Sequence, residues 1–198
     1  MLGIAERPSA LRSPPWPEQG EWTLADWERL PDDGYRYELI GGELFVSPPP
    51  AVPHQNASGN LFLRMASHAA AHALGKVYCA PIGVMLPPKR NAVQPDIIFV
   101  SKRREKIIGL KYIEGVPDLI VEIVSPSNWS VDRQEKFKLY AKAGVKEYWI
   151  VDYRPKTIEV FLLHKGEYAL QGKFSVGQKV RAALLKGFEV KVEEVFTR

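Results

Sequence analysis

Hydrophobic and polar positions along the chain predict short strands interrupted by two long helices. Residues 35–46, YRYELIGGELFV, alternate apolar and polar side chains on both sides of Gly41-Gly42. This pattern is typical of a β-hairpin, because both glycines adopt positive φ without strain. Over residues 54–74 the apolar side chains recur at helical spacing, which predicts a long helix that Gly75 ends.

The remaining elements follow from the same periodicities. Thr23 and Asp26 predict a capped short helix to about Leu30, and Ser130 is expected to cap a second long helix that runs to about Ala143. We predict strands in KVYCAP and IGVML, over residues 96–101, 118–125, 147–152, 157–163 and 167–171, and in GFEVKV near the end of the chain. This order favours an α/β or α+β class with a mixed sheet.

One predicted strand carries a charge in its interior. The stretch PDLIVEIVSPS (117–127) is almost wholly apolar, yet Glu122 lies in its middle. Side chains on a strand alternate between faces, and both faces are apolar here, so the pattern predicts a central strand covered on both sides. An unpaired ionised carboxylate in that position would cost several kcal/mol. Such groups persist when they are paired, when their pKa rises, or when they bind a metal.

A second acid, Asp96, begins the preceding predicted strand. Antiparallel pairing of these strands around their connection would place Val100 opposite Asp118, Ile98 opposite Ile120 and Asp96 opposite Glu122. Directly opposed Cβ atoms lie ~5 Å apart, so the two carboxylates would repel each other unless a cation lay between them. Mg²⁺ characteristically takes one or two carboxylates. The alternative is structural: Asp96 caps its strand, and Glu122 pairs with a buried Arg or Lys.

These residues resemble a known pattern. Pro95-Asp96, followed by Glu122 in a hydrophobic strand and then by a helix, is similar to the PD-(D/E)XK nuclease superfamily. The run PDLIVEIVSPSNWSVDRQEKFKLYAKAGVKEYWIVD, the upstream RYELIGGEL and His54 resemble its restriction-endonuclease-like Uma branch of bacterial proteins, over roughly residues 20–195. The resemblance implies a mixed central sheet flanked by helices. It also implies hydrolysis of DNA phosphodiester bonds, a Mg²⁺ or Mn²⁺ cofactor and a homodimer.

The resemblance also assigns roles to residues. It implies that Asp96, Glu122 and the backbone carbonyl of Ile123 hold the metal. The superfamily pattern expects a lysine two residues after the acid, where this chain has Val124. Lys136 borders the apolar stripe of the following helix and would supply the missing ammonium group. The competing interpretation is an exposed Lys136 that pairs with Asp132 one helical turn away.

Three further residues are expected to support this site: Glu38, His54 and Tyr140. His54 opens the long helix. It would bind a phosphate, assist proton transfer or contact a metal-bound water; the alternative is that it caps the helix. A basic run, consisting of Lys102, Arg103, Arg104 and Lys106, would contact the DNA backbone. The alternative for this run is a solvated loop.

Two other motifs point to no site. Glu189-Val190-Lys191 is a literal match to E-x-K, but its charged residues share one face of an amphipathic strand, which predicts a solvated surface. His68 and His72 have a helical spacing that can bind zinc, but no third ligand follows, so we predict a packed or solvated helix face.

Composition narrows the class of protein but does not change this picture. The 198 residues, 45% apolar and 25% charged, fit a single domain over residues 21–198 after a flexible Pro-rich lead-in over residues 1–20. No apolar run approaches the ~18 residues of a membrane span, and we predict no membrane association. The single Cys79 and the absence of a signal-peptide core indicate a cytoplasmic protein. A net charge of +4 is compatible with DNA as a partner.

A second function stays open at this level. Because Val124 replaces the expected lysine, the chain could be a catalytically inactive nuclease-fold module that binds nucleic acid or a partner protein.

Overall fold

The computed structural model describes residues 16–88, 90–124 and 131–197. Residues 1–15 of the predicted lead-in and the predicted cap Ser130 lie outside this part of the chain. The described strands are β1 (Arg36–Ile40), β2 (Glu43–Ser47), β3 (Gly75–Cys79), β4 (Gly83–Leu86), β5 (Asn91–Val93), β6 (Ile97–Ser101), β7 (Tyr112–Ile113), β8 (Leu119–Val124), β9 (Glu147–Asp152), β10 (Thr157–His164), β11 (Glu167–Ser175), β12 (Lys179–Arg181) and β13 (Glu189–Lys191).

The described residues also form four α-helices and two other helical segments. The α-helices are α1 (Leu24–Trp27), α2 (Val52–Ala71), α3 (Lys136–Ala143) and α4 (Val192–Val195). A 3₁₀ helix, Lys102–Ile107, follows β6, and one π-helical turn, Val131–Glu135, leads into α3. Within the described ranges, no helix is long and apolar enough to cross a membrane.

Two sheets dominate the fold. The larger sheet has the strand order β11-β10-β9-β8-β6-β3, and the smaller has the order β2-β1-β5-β4-β7. β8 pairs in parallel with β9 and β4 pairs in parallel with β7, whereas the other pairs are antiparallel. β12 and β13 form a separate ribbon. The predicted mixed sheet flanked by helices is therefore confirmed.

β8 is a central strand that is buried on both faces, as its unbroken apolar run predicts. Leu119, Val121 and Ile123 pack against the buried stripe of α2 and against the C-terminal elements. Ile120 and Val124, on the opposite face, pack against α3 and the smaller sheet. Glu122 shares this second face, because it lies two residues from each of them.

The end of α2 differs from the prediction. The helix begins at Val52 and ends at Ala71, before Gly75. Ala73 takes the left-handed conformation, with φ at 50°, and Leu74 donates to the Ala69 carbonyl in a Schellman-type closure. Gly75 serves a different purpose, because a Cβ there would lie 2.1 Å from the Val100 carbonyl oxygen of the adjacent strand.

The β1–β2 hairpin forms as predicted, and Gly41 and Gly42 both have positive φ. Residues immediately before α1 pack on it: Gln19 exchanges hydrogen bonds with the backbone of Leu44, and Trp22 is buried beside the hairpin. This packing positions β1, which carries Glu38, in the smaller sheet.

Candidate functional site

The predicted register of β6 and β8 is confirmed. Ile98 lies opposite Ile120, and the pairing continues through Ile97 with Val121. Extended by one residue, the same register brings Asp96 beside Glu122 at the end of the strand pair. Both acids are buried, at 2% and 1% exposure. The Ile123 amide, next to Glu122, donates to Asp96, so the two acids lie at the same end of the strand pair.

Asp96 is held by three donors. Its Oδ1 accepts from Arg36 at 2.8 Å, and its Oδ2 accepts from the Ile123 amide at 2.7 Å and lies 3.3 Å from His54 Nε2. Burial alone would raise the pKa of Asp96. The Arg36 charge, the His54 hydrogen bond and the Ile123 amide outweigh burial and hold this pKa below its ordinary range. Asp96 is therefore a carboxylate in the folded protein.

Glu122 belongs to a second group of contacts, centred on Lys136. The Lys136 ammonium lies 3.1 Å from Glu122 Oε1 and 2.8 Å from Glu38 Oε2. Tyr140, one turn further along α3, donates to Glu122 Oε1 at 2.6 Å. Burial, followed by the charges of Glu122 and Glu38, raises the pKa of Tyr140 well above its ordinary value, so the phenol remains a donor.

Lys136 is a buried residue, 1% exposed, and the alternative of an exposed lysine is wrong. It occupies the first position of α3, and the exposed Lys138 points away from the core. A fully buried ammonium is rare unless carboxylates surround it, and here two carboxylates do. α3 therefore places a lysine beside Glu122, whereas the position two residues after Glu122 on β8 is the apolar Val124.

His54 lies in the first turn of α2 and is buried. The helix-capping alternative does not hold, because Ala51 occupies the N-cap without a side-chain hydrogen bond. The imidazole reaches Asp96 through Nε2, while its buried Nδ1 has no hydrogen-bond partner among the described residues. His54 therefore contacts the acid directly.

Glu38 arrives from the smaller sheet. Its neighbours Tyr37 and Leu39 point into the core beneath the hairpin, so Glu38 points to the opposite face of β1, toward Lys136. Its second oxygen accepts from the Gln94 amide at 2.7 Å. The two sheets meet at this carboxylate.

Arg36 is the site residue that sequence reasoning missed. It lies two residues before Glu38 on β1 and therefore shares its face, a signal that the alternation of RYELI already contained. Burial alone would lower the pKa of Arg36, but Asp96, Glu38 and Glu122 raise it instead. Arg36 is permanently charged in this cluster.

The donor set fits a divalent cation held by few protein ligands. The three carboxylates, Asp96, Glu38 and Glu122, outnumber the arginine and the lysine that contact them. The N–H and C=O of one strand residue face the same neighbour, so the carbonyl of Ile123 faces the Asp96 edge as its amide does. Within the described ranges, no three His, Cys, Asp or Glu side chains converge to hold a metal. Two carboxylates and a carbonyl are sufficient for Mg²⁺, which retains several waters.

The basic run forms the exposed rim of the 3₁₀ helix after β6. Lys102, Arg103 and Lys106 are exposed, whereas Arg104 lies 3.5 Å from the buried Asp118. This run lies at the end of β6 opposite Asp96, one strand length from the acids.

The two motifs that we set aside lie away from the acids. Glu189 pairs with Lys179 and Arg181 at the surface of the β12–β13 ribbon. His68 bonds the Lys186 carbonyl, and His72 bonds the His68 carbonyl, so both rings are occupied by backbone contacts.

Comparisons with known proteins agree with this architecture. Residues 24–193 match the family described as "Uma2: Putative restriction endonuclease". The chain is 24% identical, over 165 residues, to an uncharacterized protein, slr1290, of Synechocystis, covering 83% of this chain and 81% of that protein. It also resembles the crystal structure of a "putative nuclease belonging to DUF820" from Anabaena variabilis. The TM-score is 0.73 at 17% identity, over 88% of this chain and 97% of the other, a likeness of fold. The match along most of its length shows that this chain belongs to the Uma2 family.

Proposed function

We propose that the protein is a metal-dependent endonuclease that hydrolyses DNA phosphodiester bonds at the Asp96–Glu122 edge. The observation that carries the proposal is the buried Lys136 between Glu38 and Glu122, in a cluster that Arg36 joins to Asp96. This arrangement supplies the carboxylates and the ammonium of a nuclease site although the lysine comes from a helix. Membership of the Uma2 family supports the same reaction class.

Asp96, Glu122 and the carbonyl of Ile123 would hold Mg²⁺ or Mn²⁺. When bound, the ion would polarise the phosphoryl oxygen and lower the pKa of a water that attacks phosphorus. Arg36, His54 and the Ile123 amide keep Asp96 ionised and fix its orientation. Because this carboxylate is already ionised and oriented, little free energy is needed to rearrange it when a cation binds.

Lys136 would act on the reacting atoms. Its ammonium contacts Glu38 and Glu122. Next to Glu122, this group would orient the attacking water and stabilise the negative charge that develops on the phosphoryl oxygens. Glu38 and Tyr140 are positioning residues, because Glu38 anchors Lys136 and Tyr140 anchors Glu122.

The exposed basic run, one strand length from the acids, would contact the DNA backbone at a distance from the bond that is cut. Lys102, Arg103 and Lys106 are available for phosphate contacts, each of which adds salt-sensitive affinity. Arg104 would contribute less, since it already faces Asp118. Pairing of two copies as a homodimer would bring two acid clusters to the two strands of a duplex.

The test combines calorimetry with a cleavage assay. The wild type should bind Mn²⁺ and cut DNA, whereas Asp96→Ala should lose both. Glu189→Ala, which removes the acid of the literal E-x-K at the surface, should retain both. A wild type that folds but neither binds Mn²⁺ nor cuts DNA would make the chain an inactive nuclease-fold binding module.

A further inference from the structure

A cavity of about 200 Å³ lies beside the acid cluster. It forms between the start of the hairpin, the segment before α2 and the turn between β3 and β4. Its lining includes Asp32, Tyr35, Arg36, Gln55, Ala80 and Gln94, together with four prolines. The residues proposed to hold the metal and to act on the reacting atoms do not line this cavity.

The cavity and the acids share structural elements. Arg36 lines the cavity and also donates to Asp96 Oδ1. Ala80, another lining residue, donates its amide to the Asp96 carbonyl at 3.0 Å. The amide of Gln94 donates to Glu38. A group seated in this cavity therefore lies directly next to whatever occupies the acid cluster.

The lining combines flat apolar surfaces with groups that can form hydrogen bonds. The Tyr35 ring and four prolines supply faces against which a planar group can stack. The amides of Gln55 and Gln94, the Asp32 carboxylate and the Arg36 guanidinium supply both donors and acceptors. Asp32 argues against a phosphate in the cavity, because two anions would repel there.

The size of the cavity limits its occupant. Pockets for drug-sized ligands measure roughly 300–1,000 Å³, so a cavity of about 200 Å³ suits a single planar ring system. Enzymes that act on a base outside the stack hold it between aromatic or apolar side chains and read its edge with hydrogen bonds. The lining of this cavity has the same two components.

We propose that this cavity binds one unpaired nucleobase of the DNA strand whose phosphodiester lies at the acid cluster. The inference rests on the proposed nuclease function and specifies its substrate class. A base inside a duplex cannot enter unless it leaves the stack. The protein therefore prefers single-stranded or locally unpaired DNA.

Binding measured in chelator, where no cleavage occurs, tests the proposal. The probes are a short fluorescently labelled single strand, its duplex, and an abasic strand with the same number of phosphates. Wild-type protein should bind the single strand more tightly than either of the others. Tyr35→Ala should weaken binding of the base-containing strand by about 5- to 10-fold, because stacking on an aromatic ring is lost. Its binding of the abasic strand should not change.

Neighbouring residues of α2 provide a matched pair of variants. Gln55 lines this cavity, whereas Asn56 lines a separate cavity of about 500 Å³ with Tyr153, Lys156 and Phe196. Gln55→Ala should weaken binding of the base-containing strand by about 3- to 10-fold, since one hydrogen bond to the base is lost. Asn56→Ala should leave it within about twofold, the range of a surface change.

The outcomes separate this inference from the proposed function. Equal affinity for the base-containing and abasic strands, or equal losses on both in Tyr35→Ala, would overturn the nucleobase cavity. Retained Mn²⁺ binding and cleavage in that case would leave the nuclease proposal standing. Base-dependent binding without Mn²⁺ binding or cleavage would support the cavity and remove the nuclease proposal.

Discussion

The β6–β8 pair has an aspartate at each end, and the two ends differ in what surrounds that residue. Asp96 accepts the Ile123 amide at 2.7 Å, and Asp118 accepts the Ser101 amide at 2.8 Å. Each also faces an arginine, and both are almost completely buried. Judged by the two strands alone, the ends are nearly equivalent.

The difference arises from the other elements. At the Asp96 end, α2 brings His54 to 3.3 Å from Asp96, α3 brings Lys136 to 3.1 Å from Glu122, and β1 brings Glu38 to 2.8 Å from Lys136. At the Asp118 end, the nearest charged partner is Arg104, at 3.5 Å. A buried aspartate that caps a strand is therefore a structural feature of both ends. Only the Asp96 end, among the described residues, adds the further carboxylates and basic side chains of a candidate site.

The largest expected effect is on stability. Removal of the buried Lys136 at the Asp96 end should cost more than removal of the partly exposed Arg104 at the Asp118 end. Lys136→Met leaves Glu38 and Glu122 buried without their ammonium partner, which should lower the free energy of unfolding by about 3–5 kcal/mol. Arg104→Met should cost at most about 1 kcal/mol, since that ion pair is longer and reaches solvent. Urea denaturation measures both, with Lys138→Met on the exposed face of α3 as the control. Similar losses in all three variants would contradict the comparison.

The second effect concerns metal affinity. Asp96→Asn should weaken Mn²⁺ binding by at least about 100-fold, since even groups that only support a metal ligand cost 10–100-fold. Asp118→Asn should leave Mn²⁺ affinity unchanged, although it loses the same kind of strand-capping carboxylate. Isothermal calorimetry on both folded variants provides the measurement. Equal loss in the two variants would place the metal elsewhere.

A smaller effect on stability tests the hydrogen bond that the Tyr140 phenol donates to Glu122. Tyr140→Phe removes a hydrogen bond of 2.6 Å to a buried charge and should cost about 1.5–3 kcal/mol. Tyr168→Phe removes a hydrogen bond to the neutral carbonyl of Val145 and should cost about 0.5–1.5 kcal/mol. Thermal or urea unfolding of the pair gives the comparison. A loss in Tyr140→Phe no greater than that in Tyr168→Phe would mean that Glu122 carries little charge.

The smallest effect is a difference in pH dependence between the ends. The depressed pKa of Asp96 contributes stability that is present above the unfolded value of about 3.9 and is lost as the pH falls below it. Glu147 lies at the Asp118 end, and burial raises its pKa despite hydrogen bonds from Leu184, Trp149 and Ala183. Its contribution is therefore lost as the pH rises above about 4.3, the unfolded value.

Two variants, measured with a chelator present, separate the contributions of Asp96 and Glu147 to the pH dependence of stability. Asp96→Asn should lose less stability than the wild type as the pH falls toward 3, by roughly 1 kcal/mol. Glu147→Gln should lose less stability than the wild type as the pH rises from about 4 to 6, because it removes the group whose pKa burial raises. Urea midpoints across this range measure both slopes. Parallel curves for wild type and Asp96→Asn would show that the Asp96 pKa is not depressed.

Much of the fold could be predicted from local pattern. Alternation through Gly41-Gly42 predicted the hairpin, and the apolar run around Glu122 predicted a strand covered on both faces. Where the sequence prediction failed, at the end of α2, a non-glycine residue took the left-handed position. Local propensity makes glycine the expected residue there, but packing of the following strand against Val100 required the glycine two residues later.

The amino-acid sequence by itself predicted the register of β6 and β8, because strands have a period of two residues and a slip by one residue would turn every side chain to the other face. Family resemblance, not periodicity, pointed to Glu38 and Lys136, and only the tertiary structure shows the contact of Arg36 with Asp96, the burial of Lys136 and the cavity between the hairpin and α2. Those features depend on how distant elements pack, and periodicity specifies which face of an element is buried without specifying what covers it.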